Sequence, residues 1–269
     1  MSPPRMLAAC MLALLASIAT TAAAAGARAH TGTWHVVLAA GDKAQPVFDN
    51  ATRAFAARLV EAGVPPGNIR RFSASADAQR SGAEQATKAA LLKAVAALPV
   101  RAGDRCLVFI TSHGTRGEGV YLAAANEMLT PNELAEALSR RCARVPTVAV
   151  VSACYSGGFI VGAMPRDNRI VLTAARADRP SFGCQANRTY TFFDGCLLQA
   201  LPKAATWRAL YDDTSACVQK LEQELKETPS EPQASFGAAV RGLRLPHRVA
   251  QRRAPAPRPA APASASAIR

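Results

Sequence analysis

Apolar residues fall along the chain in two alternating patterns. Short continuous runs stand at Trp34–Ala39 (WHVVLA), Cys106–Thr111 (CLVFIT), Val148–Ser152 (VAVVS) and Arg169–Thr173 (RIVLT), each of strand length. Ile69–Ser73 reads as a weaker strand. Between these runs, apolar residues spaced three and four apart predict helices. One covers Phe48–Ala62, with apolar positions at 48, 51, 55, 56, 59 and 60 and Gly63 as its stop; another covers Glu84–Leu98 and is ended by Pro99. Thr130-Pro131-Asn132-Glu133 joins a capping box to a proline at the first helical position, opening a helix that runs to about Cys142. Strands that are apolar without alternation are buried on both faces, as in a parallel sheet covered by helices. The pattern therefore predicts one α/β domain over residues 30–245, with no internal repeat.

Composition changes the picture mainly at the two ends. Apolar residues make up 49 % of the 269, which excludes a disordered chain. Met6–Ala25 is uncharged and follows Arg5, and overlapping Ala-x-Ala triplets between Ala22 and Ala29 supply the small-residue pattern of a signal-peptidase site. Residues 1–29 are expected to be a cleaved signal peptide, leaving an exported protein, periplasmic or secreted, without a membrane span. A retained segment would instead anchor it. Cleavage removes Arg5 and Arg28 and no acid, lowering the formal charge from +13 to +11. Seven arginines and no acid follow from Arg241 onward, so the basicity is concentrated at the carboxyl end. Residues 246–269, rich in Pro, Ala and Arg, cannot bury enough apolar surface to offset their ordering entropy and are read as a disordered basic tail. No aromatics are interleaved for base stacking, so the tail predicts no nucleic-acid partner. Four His and the absence of a CxxC pair argue against a metal site, and no motif calls for a cofactor.

Reactive groups in such a sheet gather where strands end, at the carboxyl edge. Two central strands end in chemically loaded loops. The first reads Ile110-Thr111-Ser112-His113-Gly114 and the second Val151-Ser152-Ala153-Cys154-Tyr155-Ser156-Gly157-Gly158. If these strands are adjacent and parallel, His113 and Cys154 form a thiol–imidazole pair. A nearby imidazole favours the thiolate, and the same ring can later protonate a leaving amine. The N–H groups of Gly114 and Cys154 would form an oxyanion hole. Taken singly, a Cys at a strand end is most often a small buried hydrophobe and a His a satisfied structural residue. The two endings on successive apolar strands shift that balance.

This pair of endings resembles the legumain and caspase clan of cysteine peptidases, with legumain-like enzymes the nearer match. Trp34–Ala39 followed by Ala40-Gly41, the helix ending Ala62-Gly63-Val64-Pro65, the strand end Thr173-Ala174-Ala175, and Thr189-Tyr190 with Asp194 are also similar. The resemblance covers residues 33–240. It implies a caspase-like three-layer α/β/α sandwich and a cysteine endopeptidase that hydrolyses peptide bonds through a thioester on Cys154, with His113 as general base and acid. It further implies substrate-binding roles for Asp194 and for Ser152, which stands where legumains carry a pocket acid two residues before the nucleophile. The stretch Asp42–Val47 lacks the family's pocket Arg and its His-orienting Asn; Asn50, slightly further on, reads with Asp49 as a helix cap. The chain ends before the pro-domain of eukaryotic legumains, and the expectation is a bacterial-type exported member of the family.

Other readings predict different features. An α/β-hydrolase needs a Gly-x-nucleophile-x-Gly elbow and a His downstream; Cys154 is flanked by Ser152 and Ser156, and only His247 follows it. A non-catalytic module would keep the sheet and lose the chemistry. A transamidase would use the same dyad with an amine acceptor, and nothing in the residues selects that acceptor. The expected partner is a peptide or protein entering in extended form, and an acidic floor at Asp194 favours Asn or a basic residue before the scissile bond. In an oxidising compartment the five further cysteines of the mature chain leave at least one free. Cys106 is expected buried in its strand. Cys184 and Cys196 are expected to pair with each other or with Cys217.

Overall fold

The computed structural model describes residues 32–185 and 187–247, all within one compact unit. The expected signal peptide and most of the basic tail lie outside them. In chain order the elements are β1 (Trp34–Ala40), α1 (Val47–Glu61), β2 (Ile69–Ser73), α2 (Ala76–Arg80), β3 (Glu84–Gln85), α3 (Lys88–Ala96), β4 (Arg105–Thr111), β5 (Gly114–Thr115), β6 (Gly119–Leu122), β7 (Glu127–Leu129), α4 (Pro131–Arg141), β8 (Thr147–Ser152), β9 (Arg169–Thr173), α5 (Phe192–Ala200), α6 (Trp207–Leu225) and β10 (Gln233–Phe236).

Seven strands form one sheet in the order β10-β9-β8-β4-β1-β2-β3. All neighbours pair in parallel except β10, which runs antiparallel to β9 at the edge. The central strands β1, β4 and β8 alternate between two apolar layers. Val37, Ala39, Val108, Ile110, Ala149 and Val151 pack with α3 and α4 on one face. Val36, Leu38, Leu107, Phe109, Val148 and Val150 pack with α1, α5 and α6 on the other. Burial on both faces explains why these strands carry no polar alternation. The mostly parallel sheet flanked by helices is the α/β domain that the apolar pattern predicts, with the three-layer arrangement that the resemblance implies.

Two local expectations change. Glu84 and Gln85 form the short edge strand β3 beside β2, and the helix begins only at Lys88. The Thr87 side chain accepts the Ala90 N–H there, so its hydroxyl supplies the start signal. Neither Asp49 nor Asn50 caps α1: Pro46 holds the cap position with no side-chain bond, and Asn50 lies inside the first turns. Of the cysteine expectations, pairing of Cys196 with Cys217 and one remaining free thiol hold, while the bond at Cys106 was not expected. Cys106 is buried but bonded to Cys142, tying β4 to the end of α4. Cys196 pairs with Cys217 across α5 and α6, leaving Cys184 free. A second, three-stranded antiparallel sheet, β5-β6-β7, grows from the end of β4. Among the described residues no helix is long and apolar enough to cross a membrane.

Candidate active site

Strands β4 and β8 are neighbours, parallel, and in a register that pairs Thr111 with Ser152. Two residues past each paired position stand His113 and Cys154. Both therefore leave the sheet side by side at its carboxyl edge. The Ser112 N–H extends the ladder by donating to the Ser152 carbonyl at 3.1 Å. Contact between the two loops is tight: a Cβ placed on Gly114 would sit 2.1 Å from the Cys154 carbonyl oxygen and 3.1 Å from the Ala153 Cβ. Only glycine fits where the His-Gly loop crosses the Ala-Cys loop.

The thiol is half-buried in a polar clasp. The Ser181 N–H points at the Cys154 Sγ from 3.3 Å, and the thiol faces the Ser181 carbonyl at 3.4 Å. The turn beyond the cysteine is constrained. Tyr155 adopts a left-handed conformation with φ 57°, rare for a non-glycine residue, and its N–H donates to the Arg179 carbonyl at 2.9 Å. The buried Ser156 hydroxyl accepts the Ala174 and Ala175 N–H groups at 3.1 and 3.2 Å, locking the turn to the end of β9.

The imidazole of His113 meets Phe48 edge to face, with ring centroids 5.2 Å apart, and makes no side-chain hydrogen bond among the described residues. Asn50 does not orient it. Its amide donates to the Thr189 carbonyl at 3.1 Å and its oxygen accepts from Arg53. The other described histidines lie elsewhere. His35 pairs with Asp104 at the start of β1, and His247 lines a cavity with Ala62 and Leu201 at the ends of α1 and α5. That position removes His247 as the partner an α/β-hydrolase would need.

Two further backbone N–H groups stand at this rim. Gly114 pairs with Val120 in the β5-β6 ladder, while the Tyr121 N–H donates to the His113 carbonyl at 2.9 Å. That arrangement makes Gly114 a non-hydrogen-bonded position whose N–H points away from β6. The Cys154 N–H has no acceptor among the described residues.

Asp194 and Ser152 lie beneath this rim and are 0 % and 2 % exposed. Asp194 sits in the first turn of α5, with its N–H on the Thr191 hydroxyl, and one carboxylate oxygen accepts from the Thr111 hydroxyl at 2.7 Å. The other oxygen, Oδ1, is buried without a hydrogen-bond partner. Burial pushes the carboxyl pKa up to about 6, against the opposing effect of the Thr111, Ser152 and Thr191 groups. Among the described residues no group of His, Cys, Asp and Glu could hold a metal ion.

Phe48, Ser181 and Tyr155 belong to this site and were not singled out in the sequence. Phe48 reads there only as a helix position, and Ser181 lies in a loop without periodicity, so no local signal marks either.

Residues 81–229, more than half of the chain, match the profile of the peptidase C13 family. The matched stretch contains both His113 and Cys154. No curated protein matches the chain. Among solved structures, caspase-1 from Spodoptera frugiperda is similar, with a TM-score of 0.51 and 12 % identity over 77 % of this chain and 87 % of that one. At that identity the likeness speaks for the fold alone.

Proposed function

The chain belongs to the peptidase C13 family, which is a family of cysteine endopeptidases, and we propose that Cys154 is its nucleophile and His113 its general base and acid. The observation that carries this reading is the parallel β4-β8 pairing, with Gly114 packed directly on the Cys154 carbonyl. The Cys154 sulfur attacks the carbonyl carbon of the scissile peptide bond, and His113 holds the thiol proton. The N–H groups of Gly114 and Cys154 stabilise the developing oxyanion. When the tetrahedral intermediate collapses, the C–N bond breaks, His113 protonates the departing amine, and a thioester to Cys154 remains. Water, deprotonated by His113, then hydrolyses the thioester and restores the thiol.

The substrate is an extended peptide. Asp194 Oδ1, an acceptor without a partner, supports a pocket floor beneath the rim that receives the amide of Asn or a basic group, with the Ser152 hydroxyl beside it. Phe182 and Gly183 pack on the start of α5. Because Asp194 is fully buried, a substrate side chain meets it only when that segment shifts. We read residues 1–29 as an export signal, and two disulfides fit an oxidising destination. Digestion of a peptide library tests the reading. Cleavage after Asn or basic residues, abolished in Cys154→Ala, is the expected result. Cleavage after Asp, or activity retained by Cys154→Ala, would contradict it.

A further inference from the structure

Six described cysteines divide unevenly: four are locked in two disulfides, and Cys154 and Cys184 are free. Both free thiols are half-buried and both belong to the carboxyl rim of the sheet. Cys184 follows by three residues the Ser181 that clasps the Cys154 sulfur. Gly183, between them, turns the chain with φ 96°. From there Cys184 packs against Ala40, Val47 and Phe48, and Phe48 is the ring that abuts His113. Cys184 thus lies beside the ring that abuts His113, close enough to Cys154 for charge there to act on it. Neither the fold nor the hydrolytic reaction uses a thiol at 184.

We propose that Cys184 is the resolving thiol of a reversible redox latch, in which a peroxide oxidises Cys154 and Cys184 closes the product into a Cys154–Cys184 disulfide. The two thiols are not equivalent. Cys154 has a backbone N–H aimed at its sulfur. Cys184 is held as a neutral thiol with its pKa pushed up to about 12, first by burial and then by charge on Cys154, Asp194 and Asp42. Oxidation therefore begins at Cys154. Its thiolate attacks hydrogen peroxide, forming a sulfenic acid and releasing hydroxide. Sulfenic acid formation removes the Cys154 charge that helps hold Cys184 neutral; the Cys184 sulfur then attacks the sulfenic sulfur, its proton passes to the departing hydroxide, and the S–OH bond breaks with loss of water as the disulfide forms. A dithiol reductant returns two electrons and both thiols. The closed latch removes the sulfur that carries the reaction, so its effect on activity rests on the proposed role of Cys154. It also keeps Cys154 from further oxidation to the irreversible sulfinic acid.

The test treats the full chain with hydrogen peroxide and maps thiols by mass spectrometry without reduction. The expected product is a peptide pair joined through Cys154 and Cys184, with labelling of Cys154 reduced at least tenfold and restored by a dithiol. In Cys184→Ser, and equally in Cys184→Ala, the same treatment should leave Cys154 as sulfinic acid, with labelling not restored. The reduced variants should keep peptidase activity. Equal sulfinic acid formation in wild type and variants, with Cys184 free throughout, would overturn the latch. The linkage is read by mass and so stands apart from activity: a Cys154→Ala chain that still cleaves peptides would defeat the assigned nucleophile without touching the latch result.

Discussion

A carboxyl group with no exposed surface is the least ordinary residue of the site. Folding raises the Asp194 pKa from 3.8 to about 6, with burial as the largest cause. The folded state therefore binds the proton more tightly than the unfolded state. That contribution to stability is complete below about pH 3.8 and is lost as pH rises through about 6. Asp194→Asn, neutral at every pH, removes this slope. Denaturant titrations should show the variant gaining on wild type by up to about 3 kcal/mol between pH 4 and 7; parallel curves would place the carboxyl in a more polar setting. Gly114 offers a sharper test on the reaction. Its Ala variant puts a methyl 2.1 Å from the Cys154 carbonyl oxygen and must displace one loop. The expected loss in kcat is about 10²-fold, the scale of one oxyanion donor, and the displaced loop should lower the thermal unfolding midpoint as well. Unaltered kcat would remove Gly114 from the oxyanion hole. His113 and Cys154 were legible as strand endings because apolar runs stop abruptly at them. Ser181 was not, since it reaches Cys154 from 27 residues away through a loop with no pattern.

At the scale of elements, capping chemistry was the most legible signal. Thr130 and Glu133 form the reciprocal capping box that their spacing predicts, with the Thr130 hydroxyl accepting the Glu133 N–H and the Glu133 carboxylate accepting the Thr130 N–H. Thr130→Ala should cost about 1 kcal/mol in chemical denaturation; no change would mean that packing alone sets the start of α4. The small β5-β6-β7 sheet was not legible, because strands of two to four residues with glycines at Gly114 and Gly119 give no period to count. The Cys106–Cys142 bond was missed for a related reason. A cysteine inside an apolar strand looks like any small core residue until the fold brings the end of α4 beside it. The Cys196–Cys217 bond fastens α5, two residues after Asp194, to α6. Replacing both cysteines by Ala should lower stability by roughly 2–4 kcal/mol on the loop-closure scale. Stability unchanged in the double variant would show that α5 and α6 hold each other through packing alone.

Over the whole molecule, the parallel sheet could be anticipated because burial on both faces leaves its strands continuously apolar. Strand order is a different matter: β4 could have met β8 or been separated from it with the same residues. The order observed, β9-β8-β4-β1, pairs residues 22, 41 and 71 apart in the chain and makes one rim of four strand ends. Residues 1–31 and 248–269 lie outside the described residues, and the expected export signal and basic tail are read from composition alone. Everything chemical in the account depends on an imidazole acting on a neighbouring sulfur at that rim. The rate at which iodoacetamide alkylates Cys154, followed by peptide mass mapping from pH 5 to 9, reports on it directly. Wild type should react well below the pH at which an ordinary thiol does, and His113→Ala should slow the reaction at neutral pH by at least about tenfold. Identical rate profiles for the two proteins would contradict the account.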